Sequence, residues 1–120
     1  MIVAVSSTGK DLEAQVDPRF GRAGYFLLVD TETMAFEVLS NSQNLQAAQG
    51  AGVQAASLVA RHKPSAVLTG NCGPKAFQVL QAAGIPVFTG VSGSVKDAVA
   101  SYKEGCWKRA GAPNVEGHWS

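Results

Sequence analysis

The stretch TGNCGPKAF, Thr69–Phe77, sets a thiol and a cation beside the glycines and proline of a turn. The turn requires the glycines, and a helix start welcomes Pro74; neither requires Cys72 or Lys75. If a helix begins near Pro74, its first amides lack partners. Its dipole then places about half a positive charge there, worth roughly 0.3–1 kcal/mol to an anion. Lys75 adds to that field. A cysteine in such a setting often has a lowered pKa and exists partly as thiolate, the form that ligates soft metals. One short loop could thus offer a soft ligand together with an anion-friendly pocket. The competing reading makes Cys72 a small buried filler with an unreactive thiol.

A second stretch, DPRFGR (Asp17–Arg22), has the same surplus of chemistry. Asp-Pro favours a turn, Gly21 frees the backbone, and Phe20 can anchor the loop on the core. Arg19 and Arg22, three residues apart, could face an anionic ligand together. Alternatively, one of them pairs with Asp17 and stiffens the loop. His62 reads as a surface or helix-end histidine. Cys106, Trp107 and His118 sit near the carboxyl end, where a His and a Cys could complete a metal site.

Other chemistries fit poorly. Gly9-Lys10 lacks the companion glycine and the following Ser or Thr of a phosphate loop, because those positions hold Ala4 and Asp11. GAGVQA (Gly50–Ala55) imitates a dinucleotide fingerprint, but a polar stretch separates it from the preceding strand. Asp11, Glu13 and Asp17 have no metal-ligand spacing, and no set of carboxylates converges on the strands as a two-metal nuclease would need. Nothing in the spacing brings His62 or His118 to Cys72 as a nucleophile pair. An enzyme is the weaker class.

The elements that must position these residues follow from periodicity. Apolar, β-branched runs predict strands at Ile2–Ser6, Tyr25–Asp30, Ala35–Ser40, Ser65–Gly70 and Ile85–Gly90. Helical stripes predict helices over Ala51–His62, over Pro74–Ala83 with Gly84 as its stop, and from Ser94 to Gly105. The stretch from Asn41 to Gly50 reads as a polar loop. The order β-β-β-α-β-α-β-α predicts a mixed five-stranded sheet with helices on its faces. Residues 1–105 read as one α/β domain and 106–120 as an irregular tail.

Composition narrows the class. The chain has 120 residues, 46% of them hydrophobic, with ten basic against nine acidic side chains and a net charge of +1. That balance argues against a nucleic-acid binder. The apolar runs are too short to span a bilayer, and MIVAVSSTGK has no basic leader, so a cytoplasmic setting is expected. Two cysteines without C-x-x-C spacing read as free thiols.

Together, DPRFGRAGYFLLVD, TGNCGPKAFQVLQAAGIPVFTG and NVEGHW resemble the dinitrogenase iron–molybdenum cofactor biosynthesis family over nearly the whole chain. These are small domains related to nitrogenase accessory factors of nitrogen fixation. The resemblance implies a ribonuclease H-like sheet of order 3-2-1-4-5, with strand 2 antiparallel to the others. It also implies binding or carriage of an iron–sulfur, often molybdenum-containing, metallocluster or its precursor, without catalysis. The implied partners are the cluster and the proteins that donate or accept it. The loop after strand 1, with Arg19 and Arg22, and the loop after strand 4, with Asn71, Cys72, Gly73 and Lys75, would converge at the switch point. Cys72 and His118 are the candidate metal ligands. The alternatives are a regulatory or protein-interaction module of this fold, or a binder of a small anionic ligand.

Overall fold

Alternation along the strands decides how this chain is layered. In a computed structural model of the chain, residues 1–42 and 50–113 are described. Most of the expected polar loop (43–49) and the end of the tail (114–120, with His118) lie outside the described residues. The strands are β1 (Ile2–Ser7), β2 (Tyr25–Asp30), β3 (Phe36–Ser40), β4 (Ala66–Leu68) and β5 (Val87–Phe88). They form one sheet of order β3-β2-β1-β4-β5. β2 runs antiparallel to β1 and β3, while β4 is parallel to β1 and β5. This is the order and direction the family resemblance implies.

Three helices are described: α1 (Ala51–Ala60), α2 (Pro74–Ala82) and α3 (Val95–Lys103). On one face of the sheet, Ala4, Phe26, Leu28 and Val67 join Ala55, Ala56 and Val59 of α1 and Ala76, Phe77 and Leu80 of α2. On the other, Val3, Val5, Leu27, Val29, Ala66 and Leu68 meet Val95, Ala98 and Val99 of α3. Successive residues of a strand point to opposite faces. A strand covered on both sides must therefore be apolar throughout, as Val3–Val5 is.

β4 and β5 are shorter than their apolar runs predict, for identifiable reasons. The Ile85 amide closes α2 by donating to the Leu80 carbonyl (2.9 Å), and Pro86 has no amide to give. Beyond Phe88, the Gly90 amide donates to the Gly70 carbonyl at 2.9 Å, and the Val91 amide to the Thr69 carbonyl at 3.1 Å. That pairing continues as a turn rather than as strand. α1 also stops early, at Ala60, before Lys63 in the left-handed region (φ 50°) and Pro64.

The ends of α2 and α3 follow the local chemistry of their sequences. Pro74 occupies the first turn of α2, and Gly84 (φ 76°) follows its end. Ser94 Oγ caps α3 by accepting the Asp97 amide at 3.1 Å.

Residues 106–113 form no helix or strand, yet they dock on the domain. Trp107 Nε1 donates to the Ala98 carbonyl (2.9 Å), the Ala110 amide donates to the Val87 carbonyl (2.7 Å), and Arg109 bridges Phe88. They thus line the outer edge of β5, which would otherwise present unpaired backbone groups. No helix among the described residues is long and apolar enough to cross a membrane.

Candidate functional site

β1 and β4 are parallel neighbours, but the chain leaves their carboxyl ends in different directions, toward β2 and toward α2. Open α/β sheets bind ligands in the crevice such a divergence creates. DPRFGR and TGNCGPK meet there through the backbone. The Phe20 amide donates to the Asn71 carbonyl (3.1 Å), and Asn71 Nδ2 donates to the Pro18 carbonyl (2.8 Å). A Cβ on Gly70 would lie 2.7 Å from Pro18 Cα and 2.9 Å from its carbonyl oxygen. Position 70 therefore has to be glycine for space rather than for backbone angle.

Buried polar groups hold the arginine loop from several sides. The Asp17 amide donates to the Ser6 carbonyl (2.8 Å), and Ser6 Oγ donates back to the Asp17 carbonyl (2.8 Å). Ser6 Oγ also lies 2.8 Å from Thr69 Oγ1, and both side chains are fully buried. The Asp17 carboxylate accepts the Arg19 amide at 3.0 Å, an Asx turn inside the loop. Asn41 Nδ2, also buried, donates to the Ala23 carbonyl at 2.8 Å. Phe20 is fully buried, with its ring 4.9 Å from that of Phe26, so it anchors the loop as its position in the sequence suggests.

This scaffold leaves Arg19 exposed and Arg22 half-buried in the loop after β1, and Lys75 exposed in the first turn of α2. Gly73 is the N-cap of α2 and makes no side-chain cap. The amides of Lys75 and Ala76 therefore get no acceptor from that position. Cations and helix-start amides without a side-chain cap together favour an anion.

Cys72 behaves differently from the thiolate its position suggests. Its side chain turns into the apolar cluster around α2 and is fully buried. Loss of water pushes the thiol from its ordinary 9.0 up to about 12. Burial thus outweighs the helix dipole, and the neutral thiol is the stable form. As placed, the sulfur could reach a ligand in the crevice only if the loop opened.

The other candidate ligands lie elsewhere. His62 is exposed and borders a hollow with Ile2 and Phe36, beside the amino end of β1 and so at the opposite end of the sheet from Cys72. Cys106 is exposed, with Sγ 3.9 Å from Glu104 Oε2. His118 lies outside the described residues. Among the described residues no three His, Cys, Asp or Glu side chains cluster to hold a metal ion.

Four supporting residues escape a reading of motifs: Ser6, Asn41, Thr69 and Gly70. Their only signature is a polar or small residue where an apolar strand stops, as in IVAVSS, EVLSN and AVLTG.

The fold defines a small α/β domain of the open-sheet class. The chain belongs to the dinitrogenase iron-molybdenum cofactor family, whose profile matches residues 1–105. The apo form of the orange protein from Desulfovibrio gigas is 43% identical and superposes with a TM-score of 0.92, over 95% of this chain and 96% of that one. A Thermotoga protein described as a putative NifB protein of the DUF35 family is 34% identical with a TM-score of 0.77, over 90% and 91% of the two chains. An uncharacterized protein of Methanocaldococcus jannaschii is 30% identical over 94 residues, 76% of this chain and 79% of its own.

Two outcomes are expected. Gly70→Ala forces Pro18 and its loop aside and should cost about 1–3 kcal/mol, read from urea unfolding; an unchanged midpoint would contradict the close contact. For Cys72, the pKa is higher in the folded chain than in the unfolded one. Its contribution is therefore complete below pH 9.0 and is lost as pH rises toward about 12. In that window stability should fall by up to about 1.4 kcal/mol per pH unit from this group. Cys72→Ala should lose correspondingly less between the same limits, and parallel curves for the two proteins would refute the burial argument.

Proposed function

We propose that the crevice between the β1 and β4 loops holds an anionic metal–sulfur cluster as cargo. That cargo is the iron-molybdenum cofactor of dinitrogenase or a precursor, and the protein carries it without chemically altering it. One observation supports the reading: in a chain of this family, the loop that carries Arg19 and Arg22 is hydrogen-bonded directly to the loop that starts α2, where Lys75 and the first helical amides lie. A relative solved in an apo form supports the idea of a removable ligand.

The donor set favours a particular manner of holding. A cluster that brings its own sulfides needs no protein thiolate; it needs positive charge and N–H donors around its surface. Arg19 and Arg22 supply guanidinium donors, Lys75 a point charge, and Asn71 and Gly73 the backbone between them. Cys72 packs beneath this surface. A cargo held by charge can be passed on by protein contact, which suits delivery between a donor and an acceptor protein. Cys72 and Cys106, neither of them in a disulfide, fit a reducing cytoplasm.

Anaerobic titration of the apo protein with isolated iron-molybdenum cofactor, followed by its absorption, tests the reading. Saturation at a fixed ratio is expected. Arg19→Ala, Arg22→Ala and Lys75→Ala should each weaken binding about tenfold, since a hydrogen bond to a charged group contributes about 1.5–3 kcal/mol. Cys72→Ala should stay within about twofold of wild type, because it removes packing beneath the site rather than a charged donor. A loss above tenfold in Cys72→Ala alone would make the thiol a ligand. No saturable binding of this cofactor or of a simple iron–sulfur cluster would overturn the carrier reading in favour of a protein-interaction module.

A further inference from the structure

Thr69 and Ser6 stand behind the crevice, fully buried, at the carboxyl ends of its two strands. Ser6 Oγ contacts both the Asp17 carbonyl and Thr69 Oγ1, each at 2.8 Å. A carbonyl can only accept and a serine hydroxyl has one proton. Ser6 must therefore give its proton to Asp17, which obliges Thr69 to give its own to Ser6. The chain runs one way, Thr69 to Ser6 to the Asp17 carbonyl, from β4 through β1 into the loop. None of its members changes charge, so it is set in the same sense at any pH where the fold persists.

We infer that Thr69 and Ser6 are positioning residues for Arg19, acting through this one-way hydroxyl chain. Resting on the carrier reading above, the inference adds two residues that never touch the cargo. Asp17 is the point on which they act: its amide and carbonyl are both clasped by Ser6, and its carboxylate fixes the Arg19 amide at 3.0 Å. Asn71 secures the loop one residue further on, at the Pro18 carbonyl. Arg19 is thus presented from a backbone fixed before any ligand arrives, and a site ordered in advance loses less entropy on binding. A hydrophobic side chain of the same shape at position 69 would fill the space but leave the chain without its first donor.

The test measures binding of isolated iron-molybdenum cofactor and thermal unfolding on the same proteins. Thr69→Val should weaken binding about fivefold, the equivalent of one buried hydrogen bond, while Thr69→Ser restores it to within about twofold. Ser6→Ala should weaken it further, since it leaves the Asp17 carbonyl without its hydroxyl donor. In an Arg19→Ala background, Thr69→Val should change the affinity no further while still lowering the melting temperature as it does in wild type. That split would separate positioning from general stability. An equal loss of affinity in both backgrounds, or none in wild type, would overturn the positioning role and leave the carrier reading standing. Failure of the wild type to bind would overturn both. Should Thr69→Val not fold, Thr69→Ala carries the same comparison.

Discussion

The site depends on one close approach, between the loop that leaves β1 and the loop that leaves β4. Their backbones come so near that Gly70 has no room for a Cβ beside Pro18. From this contact follow the bond between Phe20 and Asn71, the seating of Phe20 in the core, and the juxtaposition of the arginine loop with the start of α2. Parallel neighbours with diverging exits provide the crevice in any open α/β sheet. Here the contact between loops brings the arginine loop against the turn that starts α2. The polar groups beneath it are all satisfied: among the described residues no buried side-chain nitrogen or oxygen lacks a partner. Such a network resists rearrangement, because opening it would strand buried donors at about 1–3 kcal/mol each.

The fate of Cys72 shows which of two effects dominates. A helix start offers an anion roughly 0.3–1 kcal/mol. The rise of its pKa from 9.0 to about 12 corresponds to something on the order of 4 kcal/mol in favour of the neutral thiol. Desolvation wins by a wide margin. The positive field at this helix start is therefore available to a ligand in the crevice rather than to the protein's own sulfur. That division of labour, thiol below and cations above, is what the proposed cluster cargo, arriving with its sulfides in place, would require.

Much of this architecture is legible from residue types alone. The strands of β1 and β2 are apolar on both faces and could only be buried strands, while Pro74 and Gly84 mark the limits of α2 without ambiguity. DPRFGR and TGNCGPK stand out because turns do not require their cations. Hidden from such reading is whatever depends on contacts distant in sequence. Ser6 and Thr69 are separated by 63 positions, and a serine ending a strand says nothing of a threonine ending another. The orientation of Cys72 was equally hidden: the same TGNCGPK turn could present the sulfur to solvent or tuck it under α2, and only the packing of Ala76 and Leu80 around it decides. Trp107 and Ala110 lack any periodic pattern, yet Ala110 covers the β5 edge through the Val87 carbonyl and Trp107 ties the segment to the Ala98 carbonyl of α3.

The proposed cargo sits between these two loops, held by charge and amides. Backbone amide spectra of the isotope-labelled protein, recorded anaerobically while isolated iron-molybdenum cofactor is added, test it most directly. Saturable changes are expected at the amides of Arg19–Arg22 and Asn71–Ala76 (Pro74 has none), with smaller secondary changes at Thr69 and Ser6. Changes centred instead on the hollow beside His62 and Phe36, or on Arg109 at the β5 edge, would contradict it.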